Sequence, residues 1–142
     1  MATDSVIDIT ATISGTRAPY GITLTGKQVD ENGSITVNAA QCGYKIRFTV
    51  DEASDGWTFP AGALSAPGMG HYFNGIWIQT ADPTNQFSEP DRSPDGGIVS
   101  FVDLNAGDGG TDADPIVYTF KVYLVYADGE TASTDPAIKN QN

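Results

Sequence analysis

The sequence holds one cysteine, Cys42, and one histidine, His71. A single thiol cannot form an intramolecular disulfide. Tetrahedral zinc and blue-copper sites draw on several Cys and His together, so neither is expected here. Basic residues are scarce too: seven Lys and Arg stand against 18 Asp and Glu, a net charge of −11. The seven are scattered along the chain, at Arg17, Lys27, Lys45, Arg47, Arg92, Lys121 and Lys139. Electrostatic binding to phosphates needs Lys and Arg concentrated in one place, so neither nucleic acid nor an anionic membrane is expected as a partner. No apolar run approaches the roughly 20 residues of a membrane helix. Met1-Ala2-Thr3-Asp4-Ser5 has neither the basic nor the apolar region of a secretory signal. These absences, with the free thiol, lead to the expectation of a soluble cytoplasmic protein whose acidity serves solubility.

What is present is an apolar period of two. Ile7, Ile9, Ala11 and Ile13 alternate with Asp8, Thr10 and Thr12; Ile22 and Leu24 alternate with threonines; Ile35 and Val37 follow the turn-forming Asn32-Gly33. Tyr44, Ile46, Phe48 and Val50 share one strand face, opposite Lys45, Arg47 and Thr49. The run Ile98–Leu104 and the stronger run Tyr118, Phe120, Val122, Leu124, Tyr126 repeat the pattern, the latter with Thr119, Lys121 and Tyr123 opposite. Between Asp51 and Gly97 the period survives only in fragments punctuated by Gly and Pro, which forbid a long helix. That stretch reads as long irregular connections around one or two short strands. Glu130–Ser133 reads as a short edge strand after the Asp128-Gly129 turn, and residues 134–140 as an extended tail. With 142 residues and no linker, residues 1–142 are expected to form one all-β domain, an immunoglobulin-like antiparallel β-sandwich of seven to nine strands.

The C-terminal third adds a resemblance. Ile98–Leu104, an acidic loop, Tyr118-Thr119-Phe120-Lys121-Val122 and then Asp135-Pro136-Ala137-Ile138-Lys139-Asn140 resemble the bacterial DP-EP family, and the ending is similar to that of PixA/AidA-type inclusion-body proteins. The resemblance implies an immunoglobulin-like sandwich of bacterial origin. It brings no catalytic residues.

Four features could carry chemistry. The loop from Asp103 to Asp114 offers Asp103, Asn105, Asp108, Asp112 and Asp114 as oxygen ligands, and calcium takes six to eight oxygens. It departs from the EF-hand pattern: Gly107 is fifth, Asp108 sixth and Asp114 twelfth. Turn chemistry alone explains its Asp, Asn and Gly content, so no cofactor is expected unless calcium binds there. His71 lies in a glycine loop with no Gly-x-Ser-x-Gly elbow near any serine, and reads as a surface or packing residue. Paired carboxylates for glycoside hydrolysis arise by chance among 18 acids. The aromatics of the middle, Trp57, Tyr72, Trp77 and Phe87, form the fourth feature. On loops they would stack a sugar or anchor a partner protein; in strands at least one tryptophan would serve the core. The expected function is therefore non-enzymatic, acting through self-association (a homodimer or higher) or protein contacts. The alternative is a module for carbohydrate or calcium on the aromatic loops or the acidic loop. The Glu130–Ser133 edge is the expected route to a dimer by strand pairing.

Overall fold

A computed structural model describes residues 6–17, 19–37, 43–66, 68–105, 115–134 and 137–140. Among these the chain is all-β, thirteen strands in one mixed, nearly closed, barrel-like sheet, with a 3-10 turn at Glu52–Ser54. In chain order the strands are β1 (Val6–Ser14), β2 (Tyr20–Thr25), β3 (Ile35–Val37), β4 (Tyr44–Val50), β5 (Trp57–Thr58), β6 (Ala63–Ala66) and β7 (Gly70–Phe73). There follow β8 (Ile76–Ile78), β9 (Phe87–Arg92), β10 (Ile98–Asp103), β11 (Ile116–Tyr126), β12 (Thr131–Thr134) and β13 (Ala137–Asn140). The main path runs β6-β7-β8-β11-β12-β2-β1-β4-β10-β9.

The two-residue period does what it predicts. Ile7, Ile9 and Ala11 of β1, Ile46 and Phe48 of β4, and Phe120, Val122 and Leu124 of β11 are all buried, while the residues between them are not. The core closes on a chain of aromatic contacts. Phe48 meets Phe59, Phe101 and Phe120 with ring centroids 6.5, 6.3 and 6.1 Å apart, and Phe101 reaches Phe73 at 5.6 Å and Phe87 at 5.9 Å. Mostly edge-on or tilted, these are the arrangements that ring quadrupoles favour.

Five expectations are corrected, the first being the count: thirteen strands stand among the described residues where seven to nine are expected. The pairing is mixed and not purely antiparallel: β1 with β4, β12 with β2, and β13 with β3 are parallel. The Asp51–Gly97 stretch holds five strands, β5 to β9, because strands of two to six residues pair stably when neighbours cover them. The segment expected to be a tail ends in β13, hydrogen-bonded between β11 and β3. The residues at Thr131–Thr134 are not an open edge, since β12 lies between β11 and β2.

Gly70 shows why the middle needs its glycines. It opens β7 at φ +99°, and a Cβ there would drive into the Ile78 carbonyl of the adjoining strand. Phe101, in contact with three other rings, is the keystone of the core. Phe101→Ala is expected to cost about 3–5 kcal/mol, seen as a lower urea midpoint with an unchanged slope.

Candidate functional site

The four aromatics separate. Phe87 is 1% exposed and packs edge-on against Tyr118 at 4.8 Å, so no surface ligand reaches it. Trp57 is 9% exposed, held between Tyr20 at 5.1 Å and Tyr126 at 5.2 Å. The other two come together. Tyr72 and Trp77 face each other across the β7/β8 ladder on the outer side of the sheet, where Trp77 is 39% exposed. Leu64 of β6, 71% exposed, continues the row beside Tyr72, and Lys121 of β11 continues it beyond Trp77. Partial burial, with Tyr123 nearby, raises the Tyr72 phenol above its ordinary pKa. This row presents a flat, largely apolar strip suited to another flat apolar surface. The expectation that at least one tryptophan serves the core is met by Trp57, while Trp77 faces outward.

On the inner side of the same hairpin, His71 is buried. Its Nε2 lies 2.7 Å from Asp82 Oδ2 and its Nδ1 lies 3.0 Å from Ser65 Oγ, while its ring stacks on Phe73 at 5.1 Å. Asp82 also accepts the Gln86 N–H at 2.8 Å and the Phe87 N–H at 3.1 Å. The order hydroxyl, imidazole, carboxylate is that of a nucleophilic triad. Its surroundings are those of a structural pin: the carboxylate caps the turn that leads into β9, and the imidazole fastens that turn to β7. Sequence spacing gave no sign of the pairing, since Asp82 sits in a loop eleven residues away.

Asp103 and Asn105 of the acidic loop are fully buried. Asp103 Oδ1 accepts the Asn105 N–H at 3.0 Å and the Asn140 side-chain amide at 2.9 Å, tying the end of β10 to β13. Asp108, Asp112 and Asp114, the other proposed calcium ligands, lie outside the described residues, as does Cys42. Among the described residues no three His, Cys, Asp or Glu gather closely enough to hold a metal ion. Among the same residues no helix is long and apolar enough to cross a membrane.

A second concave surface surrounds Trp57. The cleft, about 400 Å³, is lined by Tyr20, Trp57 and Tyr126 together with Ile13, Ser54, Asp55 and Glu130. Tyr126 was expected on the core face, but alternation carries it past the end of the core, where it is 38% exposed and leans on Trp57.

In comparisons with known proteins, no family model matches the chain and no curated protein matches it.

Asp82→Ala would leave His71 and two backbone N–H groups buried without an acceptor. A loss of about 3–5 kcal/mol is expected in chemical unfolding. Ser65→Ala, at the exposed end of the same chain of bonds, is expected to cost about 1 kcal/mol or less.

Proposed function

We propose that this is a non-enzymatic domain that works by self-association, two copies joining antiparallel through β6. One contrast carries the reading. The main path of the sheet ends in β6 and β9. β9 is guarded as edge strands usually are: it contains Pro90, Glu89 at φ +54°, the charges of Asp91 and Arg92, and a register shift against β10. β6 reads Ala-Leu-Ser-Ala, is almost wholly exposed and, among the described residues, pairs only with β7. It lies in a run, Gly56 to Ala81, without one Asp, Glu, Lys or Arg, in a chain of net charge −11. Two copies repel one another everywhere that acids are spread, and least where this run meets itself. Strand pairing there would set the strips of Leu64, Tyr72 and Trp77 side by side across a twofold axis.

We further propose an immunoglobulin-like arrangement, as the resemblance to the DP-EP family implies. Supporting it, β1-β4-β10-β9 and β3-β13-β11-β8-β7-β6 behave as two layers whose inner faces meet at the Phe48–Phe120 and Phe73–Phe101 contacts. A fluorophosphonate that labelled Ser65 would overturn the non-enzymatic reading.

Sedimentation across protein concentration tests the assembly. A monomer–dimer equilibrium is expected, tightened when salt rises from about 0.05 to 0.5 M, because screening weakens the mutual repulsion. Leu64→Lys, at an exposed position, is expected to keep the fold and weaken association at least tenfold. A monomer at every concentration would sink the proposal.

A further inference from the structure

The cleft around Trp57 is distinct from the β6 edge and differs from it in charge. Its three rings come from separate parts of the chain. Tyr20 opens β2, Trp57 opens β5 and Tyr126 ends β11. Tyr20 stands at 67° to Trp57 and Tyr126 at 52°, so the rings form a corner and not a stack. The corner is braced. Gly56, at φ +90°, lets the Tyr126 ring lie directly against the backbone, where a Cβ would collide with Cε1. Ser54 Oγ accepts the Ile13 N–H at 2.9 Å and fixes the 3-10 turn beneath the rings.

Carboxylates rim this corner. Asp55 and Glu130 line the cleft itself. A neighbouring hollow shares Ser54, Asp55 and Trp57 with it and adds Asp51, Glu52 and Asp95; another shares Tyr20 and Glu130. Asp128 stands behind Glu130, accepting its N–H at 2.9 Å. Not one Lys, Arg or His lines any of the three hollows. Arg17 follows the lining residue Thr16 in sequence but is not itself part of the lining. Partial burial and the charges of Glu130 and Asp128 raise the Tyr20 phenol, and partial burial with Asp128 raises the Glu130 carboxyl. In both groups burial is the larger cause, and the charges of the neighbouring acids add to it.

We propose that this corner binds an organic ammonium ion, with its alkyl groups against the faces of Tyr20 and Tyr126 and its charge toward Glu130 and Asp55. Aromatic faces attract cations through their quadrupole, and nearby carboxylates add to the attraction. An anion is repelled by the same rim. A neutral sugar, unlike a cation, draws no net Coulomb attraction from the carboxylates of the rim. The volume, about 400 Å³, suits a small molecule.

The test uses the full chain carrying Trp77→Phe, so that fluorescence reports Trp57 alone, titrated with choline and with 3,3-dimethylbutanol, its uncharged isostere. Choline is expected to give a saturable change that weakens as salt rises, with dimethylbutanol at least tenfold weaker. Tyr126→Ala is expected to lower choline affinity about tenfold. Glu130→Gln, which leaves the rings in place, is expected to lower it severalfold and to flatten the salt dependence. Equal response to the two isosteres, a saturable response to a neutral sugar panel in place of choline, or flat curves throughout would each overturn the proposal.

Discussion

One strand is hydrogen-bonded along both edges for most of its length, and the rest of the molecule is arranged around it. β11 carries β13 and then β12 on one side, and β8 and then β5 on the other. Its alternation puts Tyr118, Phe120, Val122 and Leu124 inside and leaves Thr119, Lys121 and Tyr123 outside. A slip of one residue would turn the whole set over, exposing the core and burying a lysine. The same register fixes both surfaces discussed above. Trp77 lies outward because it pairs with Lys121, and Trp57 meets Tyr126 because β5 pairs with the last residues of the strand.

Parallel pairing then determines which edges stay open. The hairpin partner of β11 would present a bare edge over Thr131–Asn140, but β2 lies parallel against β12 and β3 lies parallel against β13. β1 carries the N-terminal hairpin across to β4, so both ends of that hairpin are spent in ladders. Among the described residues the two ends of the main path, β6 and β9, stay open, and β6 is the unguarded one, where even the side facing the core, at Ala63 and Ser65, is exposed. Among the described residues no further strand pairs with β6, and the proposed assembly would satisfy its backbone groups with the matching edge of a second copy.

Much of the fold was legible because its longer strands are half-buried. β1, β4 and β11 each run seven residues or more, enough for a period of two to show, whereas β10 is buried on both faces and was legible as a short apolar run. The middle was not legible, for the converse reason: β5, β7 and β8 have two to four residues, too few to define a period, and their places depend on Gly70 and Gly75 at positive φ. Within Ile76-Trp77-Ile78 the split was nonetheless written in the sequence, since a tryptophan between two buried isoleucines must face outward. Phe87 and Trp57 carried no such marker. Their burial follows from long-range contacts with Tyr118 and Tyr20, as the hold of Asp82 on His71 follows from a turn no spacing rule describes. Parallel pairings are hidden for a similar reason, because they depend on which edges other strands have already taken.

The distribution of charge connects the two proposed surfaces. A net charge of −11 keeps copies of the chain apart on average, but interactions between exposed charges fade over roughly 8–10 Å at ordinary salt. What matters at any surface is therefore the local composition and not the total. The Gly56–Ala81 run is neutral, so repulsion is weakest where an open strand edge can pair with itself. Around Trp57 the reverse holds: carboxylates crowd three aromatic rings and no base answers them within the lining. Trp57 stands just inside the neutral run, one residue past Gly56, with Asp55 immediately before it. The chain thus changes within three residues from an acidic surface to a neutral run, and Gly56 sits at the boundary, where only a residue without a side chain lets Tyr126 close over it.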